Sequence, residues 1–196
     1  MRYGIFGGAF DPIHFGHLLL AESCLRAAKL DRVIFVPTGI SPHKKSKTAY
    51  STSPEDRYNM VKLAIAGHKK FMVSRFEINR GVVSYTVETL RYFRGELGKI
   101  SGGGCELFLI LGGDMFCDLP NWRNAKEILQ LAVPLVAFRS GSPLPQTKIT
   151  YIPANMPIIE ISSTNIRNLI ANNNTPDFQT PKKIINYIKK HKLYQK

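Results

Sequence analysis

The chain has 196 residues, 44% of them hydrophobic and 21% charged, with a mean hydropathy of −0.11. That composition excludes a disordered or fibrous protein, and no apolar run approaches the ~18 residues that a membrane span requires. The 27 lysines and arginines against 14 acids give a net charge of +13, which draws polyanions of every kind (nucleic acid, anionic membrane, nucleotides) without choosing among them. The excess is spread along the chain, with 15 basic and 8 acidic residues in 1–98 and 12 and 6 in 99–196. The one concentration is Lys182, Lys183, Lys189, Lys190, Lys192 and Lys196, with no acid after Asp177. Residues 1–196 fit one domain able to build its own core. Cys24, Cys105 and Cys117 form no C-x-x-C pair, so reduced thiols in a cytoplasm are expected, as is the absence of a signal peptide before the first strand.

Residues 2–6 read as a buried strand ending at Gly7-Gly8, followed by a helix with apolar Leu18, Leu19, Ala21, Leu25 and Ala28. A second strand spans 32–36 and stops at Pro37. Residues 38–52 are polar and rich in turn formers, a long loop. Ser53-Pro54-Glu55-Asp56 reads as a helix start, with an N-cap serine, proline in the first turn and two acids after it, running to about Ala66. Strand 71–74, helix 86–97, a glycine-rich loop at 98–104 and an apolar strand at 107–111 ending in Gly112-Gly113 come next. Then follow helix 125–131, strand 133–138, helix 163–171 and a last helix from 181 to about 191. Strands alternating with helices predict an α/β fold, a doubly wound and mostly parallel sheet. Such sheets bind ligands at the carboxyl ends of strands where the strand order reverses, which points to the loops after the first and fourth strands.

The segment Gly7-Gly8-Ala9-Phe10-Asp11-Pro12-Ile13-His14-Phe15-Gly16-His17 is the most informative. The glycines are expected to let the backbone turn sharply. His14 and His17 share one face at a helix start, where free N–H groups and the helix dipole already favour anions, and Gly16 leaves room for a ligand. The segment is neither a dinucleotide fingerprint nor a P-loop, and H-x-x-H without a third ligand does not predict zinc. Asp11 reads as a turn residue bonding nearby backbone. A second anion site is expected at Ser163, Thr164 and Arg167; helix capping by Ser163 or Thr164 accounts for the hydroxyls but not for the arginine.

The first segment resembles the G-G-[TS]-F-D-P-x-H-x-G-H signature of the nucleotidyltransferases, and the chain is most similar to the bacterial nicotinate-nucleotide adenylyltransferase family. Four further motifs follow in order: Ser41-Pro42-His43-Lys44 for P-P-H-K, Arg80-Gly81-Val82-Val83-Ser84-Tyr85-Thr86 for R-G-x-x-S-Y-T, Gly112-Gly113-Asp114 with Trp122 for G-x-D…W, and Ile161-Ser162-Ser163-Thr164-Asn165-Ile166-Arg167 for I-S-S-T-x-I-R. Ala9 stands where the family has a hydroxyl residue and Ser41 where it has proline.

The resemblance implies a Rossmann-like nucleotidyltransferase that moves AMP from ATP to nicotinate mononucleotide, giving deamido-NAD and pyrophosphate. It implies that His14, His17, Lys44 and Arg167 neutralise charge during transfer. It implies ATP contacts from Gly7, Gly8, Ala9, Phe10, Gly112, Asp114, Ser163 and Thr164, and mononucleotide contacts from Ser84, Tyr85, Thr86, Trp122 and Arg139. Mg²⁺ is expected to travel with ATP, with no protein metal site. A sister acceptor, nicotinamide mononucleotide or phosphopantetheine, is the nearer alternative. A nucleic-acid binder is the more distant one, since no recognised binding motif is present, and neither nucleic acid nor membrane is expected as a partner.

Overall fold

The structure, a computed structural model, describes residues 1–41, 51–102, 104–139, 147–157 and 159–195, with the backbone alone at Arg139. Strand residues point alternately to the two sheet faces, and a strand apolar at every position therefore needs both faces covered. β4 (Glu106–Gly112) is such a strand, buried from Leu107 to Leu111. It lies beside β1 (Arg2–Gly8) in a six-stranded sheet. The others are β2 (Arg32–Pro37), β3 (Phe71–Val73), β5 (Val133–Arg139) and β6 (Ile152–Met156), in the order β3-β2-β1-β4-β5-β6, with every neighbouring pair parallel. The order reverses between β1 and β4, so the strand ends expected to carry ligand are adjacent.

Two cores flank the sheet. One gathers Phe6, Phe35, Phe108, Ile110 and Leu135 with α1 (Phe15–Ala27), α2 (Pro54–Ile65) and α8 (Lys182–Lys190). The other gathers Tyr3, Ile5, Ile34, Leu109 and Val136 with α4 (Thr86–Ile100) and α6 (Ala125–Leu131). Gly4 in β1 belongs to the first face: a Cβ there would stand 2.7 Å from both Ile110 Cδ1 and Leu30 Cδ1, so glycine lets those side chains close over the strand.

The α2 start matches its sequence signature, Ser53 Oγ accepting from the Asp56 N–H at 3.0 Å with Pro54 in the first turn. α7 (Ser163–Ala171) matches its expected span. Three elements lie beyond the expected set. α3 (Phe76–Arg80) is a five-residue turn of helix closed by Gly81 in the left-handed region, φ +64°. α5 (Gly113–Asp118), with a 3₁₀ turn at Leu119–Asn121, fills the connection after β4. β6 is the edge strand beyond β5, and its Pro153 lacks the N–H that a further strand would need. No helix among the described residues is long and apolar enough to cross a membrane.

Ile110 is 1% exposed at the centre of the first core. Ile110→Ala is expected to lower the unfolding free energy by about 3 kcal/mol, read as a drop in urea midpoint at unchanged slope.

Candidate active site

At the carboxyl end of β1 the chain leaves the sheet and crosses the fold before α1 begins. Both glycines lie inside β1, so they do not make the expected turn. The bend falls at Phe10, φ +51°. Gly7 faces open space, while a Cβ on Gly8 would meet the Phe10 ring at 2.9 Å. Phe10 is 1% exposed, its ring packed edge-on to Phe6 and His17, so its side chain is not available to a nucleotide.

His14 is the N-cap of α1, in extended backbone, and His17 stands three residues on. Their rings stack with centroids 3.7 Å apart and planes 25° from parallel. The His14 N–H donates to His17 Nδ1 at 3.3 Å, which leaves the proton of a neutral His17 ring on Nε2. His14 is buried, and its Nδ1 has no hydrogen-bond partner among the described residues. Burial holds His14 down to about 4; burial first, then the proximity of His14, holds His17 well below the ordinary histidine range. In the free protein the pair is therefore neutral at pH 7. Gly16 serves this stack: a Cβ would lie 3.0 Å from both Cε1 and Nδ1 of His14, so its bareness seats the imidazole rather than leaving floor for a ligand.

The loop between β1 and α1 is held by side chains from far along the sequence. Arg57 Nη1 donates to the Ala9 carbonyl at 2.9 Å and Arg167 Nη1 to that of Asp11 at 2.8 Å. Ser163 Oγ donates to the Pro12 carbonyl at 2.9 Å and Thr180 Oγ1 to that of Ile13 at 2.8 Å. Asp11 is not a local turn residue. Its carboxylate accepts from the Ser51 N–H at 2.9 Å, Thr52 Oγ1 at 2.7 Å and the Tyr194 hydroxyl at 2.7 Å. The cap of α7 is Ser162, which accepts from the Asn165 N–H, rather than Ser163 or Thr164. Thr164 Oγ1 accepts from Arg167 Nη2 at 3.1 Å. The geometry thus gives Arg167 a structural task beside any contact with phosphate.

The loop after β2 joins the same frame. Arg57 is fully buried, and its Nη2 reaches the Gly39 carbonyl at 3.4 Å. A Cβ on Gly39 would lie 2.4 Å from the Glu77 carbonyl oxygen, and Ser84 donates its N–H to the Ile40 carbonyl at 2.8 Å. Glu77 is buried, accepts from Thr89 Oγ1 at 2.7 Å, and is pushed up from the usual carboxylate range by burial. Ser84 is buried, and the N-cap of α4 is Tyr85 without a side-chain cap bond, so capping does not account for Ser84-Tyr85-Thr86.

Trp122 is half-buried against the second core beside Tyr85, and its Nε1 donates to Asp118 at 3.0 Å. The neighbouring Arg123 lies over the Tyr85 ring at 4.4 Å. Tyr85 and Trp122, 37 positions apart, thus pack against the same core. Gly112 caps α5, and Asp114 is exposed in its first turn. Lys44 and the side chain of Arg139 lie outside the described residues. Among those residues no group of three His, Cys, Asp or Glu side chains is placed to hold a metal.

Sequence reasoning missed Arg57, Thr180 and Tyr194. For Arg57 a signal existed: it shares the spacing of Met60, Val61 and Ile65, the buried face of α2, and a charge in an apolar stripe needs a buried partner.

A histidine pair at the carboxyl end of a central strand, in a parallel sheet of this order, defines an α/β nucleotide-handling enzyme. The cytidylyltransferase-like family model matches residues 5–169. "Probable nicotinate-nucleotide adenylyltransferase" of Clostridium botulinum is 38% identical over 99% of this chain and 98% of its own length. The protein of that name from Thermus thermophilus is 38% identical over the whole of both chains. A solved Plasmodium falciparum nicotinic acid mononucleotide adenylyltransferase, complexed with APC, superposes with a TM-score of 0.77 at 20% identity over 98% of this chain and 96% of that one, which shows the shared fold. The same Plasmodium protein complexed with NaAD gives 0.76, over 98% and 97%. The chain belongs to the cytidylyltransferase-like family, in its nicotinate-nucleotide adenylyltransferase branch.

Two outcomes are expected. Gly16→Ala should fold normally yet lose about 10- to 100-fold in turnover, since a displaced His14 ring misaligns the reacting groups; circular dichroism and steady-state kinetics read both. For pH, the unfolded chain binds a proton at His14 near the ordinary 6.5 and the native chain only near 4. The unfolded state holds more protons across that window, so native stability falls as pH drops from 6.5 towards 4. The His14 share is at most about 3 kcal/mol, at about 1.4 kcal/mol per pH unit. Urea midpoints at pH 7 and 4.5 should converge in His14→Gln relative to the parent protein.

Proposed function

We propose that this chain transfers AMP from ATP to nicotinate mononucleotide, giving deamido-NAD and pyrophosphate in NAD biosynthesis. The observation that carries the reading is the stacked His14–His17 pair, with a buried His14 Nδ1 that has no hydrogen-bond partner among the described residues, at the strand end where an α/β sheet takes its ligand. The names of the full-length relatives support the acceptor.

The nucleophile is a phosphate oxygen of the mononucleotide, anionic at neutral pH, so the reaction needs no general base. That oxygen forms a bond to the α-phosphorus of ATP, the bond to the bridging oxygen of the β-phosphate breaks, and the electron pair leaves with pyrophosphate. What the protein supplies is alignment and charge neutralisation. His14 and His17 donate to the triphosphate, with Lys44 and Arg167 adding fixed positive charge. A polyanion beside the imidazoles raises their proton affinity, so the pair gains charge as the substrate binds. Gly7 gives the phosphates an open floor, and Gly8, Ala9 and Phe10 offer main-chain groups. Ser163 and Thr164 present the start of α7, and Gly112 and Asp114 face the nucleoside. Ser84, Tyr85, Thr86 and Trp122 form the acceptor pocket, with Arg139 on the mononucleotide phosphate. Mg²⁺ belongs to the substrate, entering as its ATP salt and screening phosphate charge.

The test is pyrophosphate release from Mg-ATP with nicotinate mononucleotide, nicotinamide mononucleotide and phosphopantetheine offered in parallel. Turnover with the nicotinate acceptor at least tenfold above the others is expected; preference for either rival overturns the acceptor assignment. His17→Ala should lose about 100- to 1,000-fold in kcat with its fold intact, and near-parental turnover would refute the histidine assignment.

A further inference from the structure

The segment after α8 makes a contact that the reaction does not by itself require. Two non-glycine residues there, Lys192 (φ +52°) and Tyr194 (φ +63°), occupy the left-handed region, an uncommon and costly conformation for residues with side chains. The bend packs the Leu193 and Tyr194 side chains on the first core and delivers the Tyr194 hydroxyl to Asp11 Oδ1 at 2.7 Å, across 183 positions of sequence. Asp11 is 4% exposed and lies three residues before His14. Its Oδ1 also accepts from Thr52, and Oδ2 from the Ser51 N–H, while its carbonyl accepts from Arg167.

We infer that Tyr194 is a positioning residue for the His14–His17 pair, acting through the Asp11 carboxylate, with Thr52 as its partner on the same oxygen. This rests on the function proposed above. A carboxylate this close to a site for phosphates opposes them unless its charge is engaged elsewhere. Tyr194, Thr52 and Ser51 engage both oxygens and fix the peptide from which the histidines depart. Burial and the Asp11 charge push the Tyr194 phenol up, so it stays a donor throughout the neutral range. The bond therefore sets geometry.

Tyr194→Phe keeps the ring in the core and removes only the donor. Its kcat is expected to fall about tenfold with both KM values within about twofold, because alignment is lost while the substrate contacts remain. Thr52→Val should act similarly, and the double variant should lose less than the product of the two, since both act on one oxygen. Tyr187→Phe is the control: its hydroxyl bonds Asp56 at 3.0 Å, away from Asp11, and its removal should leave kcat unchanged. The imidazole resonances of His14 and His17, followed by NMR in the ligand-free protein, should move in Tyr194→Phe and stay in place in Tyr187→Phe. A kcat within twofold of the parent, or unmoved imidazole resonances, overturns the inference. If the parent protein fails to turn over nicotinate mononucleotide, the functional reading fails, and the resonances still decide whether Tyr194 positions the pair.

Discussion

The site depends on one requirement: the main chain between β1 and α1 is buried but belongs to neither strand nor helix. Buried carbonyl groups need donors, and here regular structure provides none. Arg57, Arg167, Ser163 and Thr180 each give one to the carbonyl of Ala9, Asp11, Pro12 or Ile13. Two of these donors are guanidinium groups, whose bonds to carbonyl oxygen are stronger than neutral ones. Arg57 has no exposed surface at all, and the carbonyls it meets offset part of the cost of burying its charge. With its neighbours fixed from four directions, Phe10 is held at a φ of +51° that it would not adopt in a free loop.

This rigidity governs the electrostatics of the histidine pair. Stacked and desolvated, both rings are neutral at pH 7, so the free site presents oriented N–H groups rather than fixed charge. Attraction of anions over distance falls instead to the surface, where the +13 excess is spread over the whole chain. Charge and geometry are thus held apart: the basic excess is diffuse, and the histidine pair is dry and preorganised.

Much of this was legible in the sequence, for identifiable reasons. β4 and β5 announce themselves as apolar runs because parallel strands are buried on both faces. Ser53-Pro54 marks α2 because capping is a local interaction of a few neighbouring atoms. The H-x-G-H segment is legible as a histidine pair at a helix start for the same reason: its geometry lies within four residues. β6 was not, since an edge strand with Pro153 alternates weakly and resembles a loop. The task of Gly16 was misread as space for a ligand, when the neighbour needing that space is His14, two residues before it. Asp11 was misread because Asp-Pro suggests a local turn, whereas all three of its carboxylate partners come from 40 or more positions away. Sequence pattern reports short-range and periodic constraints; contacts fixed only by tertiary closure leave no mark on it.

That division bears on how the site forms. Its donors stand 48, 151, 156 and 167 positions from the carbonyls they satisfy, and Tyr194 stands 183 from Asp11. Contacts at such separation carry a large loop-closure cost and form only once the sheet has brought their elements together. The motif that looks most local, His14 to His17, therefore depends for its setting on contacts made far along the chain. α7 and α8, by their place in the chain, read as additions to a sheet already complete at β6. Side chains of α7 and of the segments on either side of α8 nevertheless supply donors that shape the loop after the first strand. Damage to packing under α7 or α8 reaches the histidines without touching them, so catalytic competence in this fold is a property of the closed chain rather than of the motif.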